Sequence, residues 1–166
     1  MKGPLQLPYG STDLTFHADR DVRFIDHQEP WYMVDKSLFS SRIREYVRSR
    51  QGAIENAGVV VSDKTRTCEY PVYLPLLTDA LESCGISSER ITFFIAYGSH
   101  PVQSERESIT CYGSTYSNYR FVHHDSRDDS SLALLGTTER GTQVRIQREM
   151  MEQDLLISFG AILRHY

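Results

Sequence analysis

Four short apolar runs in this sequence each end in a cluster of polar residues. Val59-Val60-Val61 leads into Ser62-Asp63-Lys64-Thr65-Arg66, and Ile95-Ala96 leads into Tyr97-Gly98-Ser99-His100-Pro101. Phe121-Val122 leads into His123-His124-Asp125, and Ile157-Ser158-Phe159 leads into Gly160 and then Arg164-His165-Tyr166. These side chains suit two kinds of chemistry. Imidazole changes protonation near neutral pH and can exchange a proton with a reacting group. The planar guanidinium fork binds carboxylate or phosphate at two points. Ordinary structural roles compete at every position. Asp63 could cap the segment that follows it, with Arg66 as its ion-pair partner. His100, before a proline, could be a plain loop residue, and Gly136-Thr137-Thr138 with Arg140-Gly141 could be a turn. His123 and His124 are neighbours on a strand and point to opposite faces, so at least one of them is structural.

The elements that would position these clusters follow from apolar spacing. Leu5-Gln6-Leu7 and Leu14-Thr15-Phe16, separated by Pro8-Tyr9-Gly10, predict a small β-hairpin. Phe39, Ile43, Tyr46 and Val47 predict a helix over 37–50 with Ser37 as its cap. Gly58 to Val61 is β-branched and uniformly apolar, as a strand buried on both faces of a parallel sheet would be. Leu74, Leu77, Leu81 and Cys84 recur at helical spacing, with Pro75 in the first turn and Gly85 at the C-terminal end. Strands buried in the sheet's interior are predicted at Ile91–Ala96 and Leu155–Phe159, a further strand at Tyr119–His123, a short edge strand at Thr142–Ile146, and helices over 102–111 and 147–153.

Strands alternating with helices imply right-handed crossovers and a mostly parallel sheet flanked by helices. The fold class is therefore α/β, Rossmann-like, with a small N-terminal β-hairpin. Parallel strands run one way, so all four polar clusters should emerge along one edge, where ligands of open α/β sheets bind.

Composition narrows the partners. Lys plus Arg number 18 against 22 Asp plus Glu, a formal net charge of −4, which is the wrong sign for a nucleic-acid surface. The basic stretch Arg42 to Arg50 reads as the solvated side of a helix. Cys68, Cys84 and Cys111 form no C-x-x-C pair, against both a disulfide framework and a zinc site. The expectation is reduced thiols in a cytoplasmic protein, with no signal peptide and no membrane-length apolar run. The 166 residues suit one domain.

Six motifs occur in a telling order: Leu7-Pro8-Tyr9-Gly10, Asp63-x-Thr65-Arg66, Gly98-x-His100, His124-Asp125, Leu135-Gly136-Thr137-Thr138-x-x-Gly141 and Gly160-x-x-x-x-His165-Tyr166. In this order they resemble the nickel-pincer lactate racemase family, which includes other 2-hydroxyacid racemases and epimerases. The resemblance runs essentially end to end. It implies an incomplete N-terminal cofactor-binding domain, over residues 1–166, of an isomerase that interconverts 2-hydroxyacid stereoisomers. It implies a pyridinium mononucleotide with two thio-substituted arms holding nickel, which accepts hydride from the α-carbon and returns it to either face. By the family's pattern His100 and His165 are the two acid/bases, and Asp63, Lys64, Thr65 and Arg66 form the cofactor-binding segment, with no metal ligand in this chain. The partners implied are a small 2-hydroxyacid and further copies of the chain, with neither nucleic acid nor membrane.

Departures from the pattern carry their own expectations. The family's cofactor-linking lysine and nickel-ligating histidine lie beyond the position of Tyr166, and so does its second domain. The isolated chain is accordingly expected to be inactive and without cofactor. Pro101 after His100, and Thr67-Cys68 where a proline is common, bear on substrate and loop shape. A second reading stands beside the enzyme: a non-catalytic truncated homologue that binds anions or nucleotides or serves oligomerisation.

Overall fold

The computed structural model describes residues 3–19 and 34–161, which fall in two units, Met1–Met33 and Val34–Tyr166. In the first unit, β1 (Gly3–Tyr9) and β2 (Thr12–Ala18) pair antiparallel, with Leu7 opposite Leu14 and Leu5 opposite Phe16. Gly10 turns the chain at φ 60°, where a side chain would be strained. This is the expected hairpin.

The second unit begins with α1 (Lys36–Ser49). Its cap is Asp35, whose Oδ1 accepts the Leu38 N–H at 2.7 Å and the Ser37 hydroxyl at 2.6 Å. Ser37, expected as the cap, instead braces the carboxylate that does the capping, the stronger acceptor at a helix N-terminus. The chain then alternates through β3 (Ala57–Ser62), α2 (Tyr70–Glu82), β4 (Ile91–Ala96), α3 (Glu105–Tyr112), α4 (Ser114–Asn118) and β5 (Arg120–His123). Helix α2 starts earlier than its leucine repeat suggested. Pro71 occupies the first turn and Pro75 lies inside the helix, so the N-terminal role expected of Pro75 belongs to Pro71. Gly85 follows the helix at φ 95°, as expected.

The hairpin β6 (Leu132–Thr137) and β7 (Gln143–Gln147) forms a separate antiparallel pair, followed by a 3₁₀ segment, Arg148–Glu152, and by β8 (Leu155–Phe159). Three expectations change here. The strand near Thr142–Ile146 is paired with β6 and is no edge of the main sheet. The segment 147–153 is a 3₁₀ turn rather than an α-helix. β8, expected in the sheet's interior, is an edge strand whose alternate residues face outward, and Leu156 is 44% exposed.

The main sheet has the order β5-β4-β3-β8, with all three neighbouring pairs parallel. Register puts Val59, Phe93, Phe121 and Ile157 on one face, together with Val61, Ile95, His123 and Phe159. All four helices pack there. Phe39 of α1 and Tyr70 of α2 meet Phe159, and Tyr112 of α3 and Tyr116 of α4 meet Phe121. Leu74, Leu77 and Leu81 of α2 are fully buried in this core. The opposite face, around Val60, Phe94 and Ala96, carries Ile146, Gln147 and Met150 from β7 and the 3₁₀ segment. Among the described residues no helix covers it. One hand for every crossover accounts for the division. β3, β4 and β5 advance in one direction with helices on one face, so the return past them to β8 must use the other.

Candidate functional site

The carboxyl ends of the four parallel strands share one edge, as the polar clusters required. The chain moves from β3 through β4 to β5 in one direction and returns to β8 on the far side of β3. The order therefore reverses between β3 and β8, the position at which open α/β sheets form their ligand crevice. Gly160 stands at that point, where an added Cβ would lie 3.9 Å from the Ser62 hydroxyl.

Asp63 follows β3 directly and is buried. One carboxylate oxygen accepts the Thr65 N–H at 2.8 Å and the Thr65 hydroxyl at 2.6 Å, and the other meets His100 Nδ1 at 2.6 Å. Burial by itself would push the Asp63 carboxyl up. The hydrogen bonds from the Thr65 hydroxyl, from His100 and from the Thr65 amide outweigh it and hold the group below its ordinary value. Asp63 is thus an anion whose acceptor sites are filled by defined donors. A carboxylate on Nδ1 fixes the proton there and leaves Nε2 as the free base. The His100 side chain is 49% exposed, so Nε2 remains accessible while Asp63 does not. The geometry is that of an oriented acid/base.

Local sequence explains why these groups meet. Gly98 takes φ 60° immediately after β4, and the His100 N–H closes a turn onto the Tyr97 carbonyl at 3.0 Å. Because β4 lies beside β3, that turn brings His100 over Asp63. The alternative pairing of Asp63 with Arg66 does not occur. Arg66 closes the turn with its N–H on the Asp63 carbonyl, while its guanidinium donates to the Thr65 carbonyl at 3.3 Å. Lys64 turns the other way. Its amide donates to the buried Gln103 side chain at 2.9 Å, and its ammonium pairs with Glu107. The Lys64 ammonium, with the Ser104 amide and hydroxyl, holds the exposed Glu107 carboxyl down at about 2.

Two recesses border this constellation. One of about 220 Å³ is lined by Tyr97, Ser99, His100, His124, Ser126 and Arg127, among others. A larger cleft of about 460 Å³ lies between the start of α2 and α3, with Lys64, Tyr70, Arg106, Glu107 and Cys111 in its walls. The larger one contains neither His100 nor Asp63. Of the two, the smaller is the one lined by His100, and the larger has the size and mixed lining of a ligand cleft.

The two adjacent histidines separate as expected. His123 lies on the helix-covered face between Tyr97 and Tyr116, and His124 Nδ1 meets Gln147 Oε1 at 3.2 Å. Among the expected site residues, the structure brings together Asp63, Thr65 and His100, and it leaves Lys64 and Arg66 on the flanks. His165 lies outside the described residues. Gln103, which ties two strand-end loops together, carried no signal in the sequence. Glu107 did, through the Ser104-x-x-Glu107 capping box.

A family model described as the lactate racemase N-terminal domain matches residues 23–166. The chain belongs to this family. The lactate racemase of Thermoanaerobacterium thermosaccharolyticum is 25% identical over 177 residues, covering 98% of this chain and 40% of that protein. The lactate racemase of Lactiplantibacillus plantarum is 30% identical over 134 residues, covering 80% of this chain and 30% of that protein. The chain thus spans less than half the length of these curated relatives. Among solved structures, the lactate racemase apoprotein from T. thermosaccharolyticum matches with a TM-score of 0.65 at 22% identity, over 94% of this chain and 38% of that one. A Thermotoga maritima protein matches with a TM-score of 0.61 at 17% identity, over 75% and 33%. Both share the lactate racemase fold seen here, a parallel four-stranded sheet with flanking helices. Among the described residues, no helix is long and apolar enough to cross a membrane.

Proposed function

We propose that the chain is the cofactor-side domain of a 2-hydroxyacid racemase, with His100 as one of its two acid/base groups. The Asp63–His100 pair carries this reading. In such a reaction a base must take the substrate hydroxyl proton as the α-hydrogen departs as hydride, and an acid must return a proton to that oxygen when hydride comes back to either face. His100 meets the requirement with a free Nε2, a tautomer fixed through Nδ1 and a position at the carboxyl edge. Thr65 locks the carboxylate that does the fixing. His165 is the proposed second base, since the two enantiomers present their hydroxyl differently. Arg66 is the proposed anchor for the substrate carboxylate through its fork.

The family's cofactor, a nickel-bearing pyridinium nucleotide, supplies hydride acceptance at the α-carbon when bound. Its anionic part would be met by Arg66 on the strand-end loop and by Lys64 and Arg106 in the wall of the 460 Å³ cleft, with the Lys64 ammonium exchanging Glu107 for the ligand. Its metal does not fit in the same way. Among the described residues no group of three or more His, Cys, Asp or Glu side chains could hold an ion. No nickel ligand is assigned among the described residues, and no step here depends on the metal.

A chiral assay of lactate with cofactor-loaded protein tests the reading. His100→Asn should lower turnover by about 10²–10⁴-fold, the usual contribution of a positioned acid/base. Full activity in that variant overturns it. The 166-residue chain by itself should show no turnover and no stoichiometric nickel on metal analysis.

A further inference from the structure

His123 is a half-buried histidine, enclosed between two tyrosines, that the proposed chemistry does not use. Its Nδ1 lies 2.6 Å from the Tyr97 hydroxyl and its Nε2 lies 3.1 Å from the Tyr116 hydroxyl. The Tyr97 and His123 rings stack at 5.8 Å between centroids with 14° between planes. The hydrogens can be placed by elimination. The Tyr97 oxygen already accepts the Gln103 N–H at 3.4 Å, and Tyr97 is only 3% exposed, so its own proton has His123 Nδ1 as its acceptor. His123 then carries its proton on Nε2 and donates to Tyr116, which is half-buried and can direct its own hydrogen outward. Burial favours this arrangement at both ends. It lowers His123, keeping the ring a neutral acceptor, and raises Tyr97 to about 12, keeping the phenol a donor.

This chain of bonds continues beneath the candidate site. Gln103 is buried, accepts the Lys64 N–H through Oε1 and donates through Nε2 to Ser108 at 2.9 Å. One polar line therefore crosses the ends of β5, β4 and β3, running Tyr116, His123, Tyr97, Gln103, Lys64. Tyr97 holds the loop that bears His100 at two points. Its carbonyl accepts the His100 N–H, and its hydroxyl accepts the Gln103 N–H where the loop ends. Among the described residues these two bonds are the loop's internal backbone restraints.

We propose that Tyr97 and His123 are positioning residues for His100, holding the Tyr97–Gln103 loop so that the imidazole stays on the Asp63 carboxylate. The inference rests on the reading of His100 as an acid/base. The requirement behind it is general, because a proton-transfer group must be held within about 0.5 Å and 10–20° of its working geometry by neighbours that are themselves fixed.

The test reads the His100 ring directly, by nitrogen-15 NMR of the imidazoles in the full chain. The native protein should show a single His100 tautomer, protonated on Nδ1, and a His123 protonated on Nε2. Tyr97→Phe, which removes one oxygen, should turn His100 into a mixture of tautomers, and His123→Leu should do the same. His123→Gln, whose amide can accept from Tyr97 and donate to Tyr116, should restore the single tautomer. A native His100 tautomer in folded Tyr97→Phe overturns the proposal, and so does a His123→Gln protein as disturbed as His123→Leu. If His123→Leu does not fold, Tyr97→Phe decides. Because the readout needs neither substrate nor cofactor, it is separate from the His100→Asn assay. Loss of the catalytic reading would show in turnover, and loss of this one in the ring nitrogens.

Discussion

The two faces of the main sheet are built on different terms. On one, four helices bury a continuous core in which Leu74, Leu77, Leu81, Phe93 and Ile95 have essentially no exposure. On the other, a short hairpin and a 3₁₀ turn cover Phe94 closely but leave Leu156 nearly half in solvent. Stability should therefore be concentrated on the helical face, and the hairpin face should tolerate change. The site residues sit where the two faces end, held by polar bonds rather than by apolar burial.

The largest expected effect is on the helical face. Leu77→Ala should cost about 2–5 kcal/mol in urea unfolding, the range for a fully buried leucine. A loss under about 1 kcal/mol would mean that the helices contribute less than their burial implies. At the edge, Asp63→Asn should cost about 1.5–3 kcal/mol near neutral pH, because charge-assisted bonds to Thr65 and His100 are lost. Its pH dependence sharpens the point. The native carboxyl lies below its ordinary value near 3.9, so the stability it contributes is full above about pH 4 and is lost as pH falls through the folded value. The variant should show a flatter acid limb in the same unfolding series. On the hairpin face, Gly58→Ala introduces a Cβ within 2.8–2.9 Å of Leu156 Cδ2, Gln153 Cγ and Phe94 Cε2. Leu156 can give way but the buried Phe94 ring cannot move freely, so the expected loss is about 1–3 kcal/mol, the usual range of overpacking costs. Smallest of all, Leu156→Ala should change stability by about 0.5 kcal/mol or less. A larger loss there would show that the hairpin face carries more than its exposure suggests.

What could be read from the sequence divides along the same line. β3 and β4 carry β-branched or aromatic residues at 59–61 and 91–95 and occupy the interior, as their apolar runs require. β8 has an equally apolar run but lies at the edge, because a run of five residues does not distinguish one buried face from two. β6 was hidden, since Gly136-Thr137 at its end reads as a turn, and α4 has no apolar period at all in Ser-Thr-Tyr-Ser-Asn. The common edge of the polar clusters was legible from strand direction. The Asp63–His100 contact was not, because it depends on β3 and β4 being neighbours, and sequence leaves strand order open. The Tyr97–His123 bond depends further on the register that sets Ile95 opposite His123. Register of that kind is fixed by packing rather than by any local motif.

The place of β8 beside β3 has a consequence for the order in which the molecule assembles. β3, β4 and β5 are joined by local crossovers, whereas Asn56 and Asp154, which fasten the start of β3 to β8, are 98 residues apart. Closing so long a loop costs more chain entropy than the local pairings do. Folding should therefore build the helical half first and dock β8 last. As an edge strand with outward-facing side chains, β8 also has less to lose on detaching than the interior strands β3 and β4, which places it toward the low-stability end of the native ensemble. The crevice between β3 and β8, flanked by Asp63 and Gly160, should thus be completed late in folding and open more readily than the interior β3–β4 pairing.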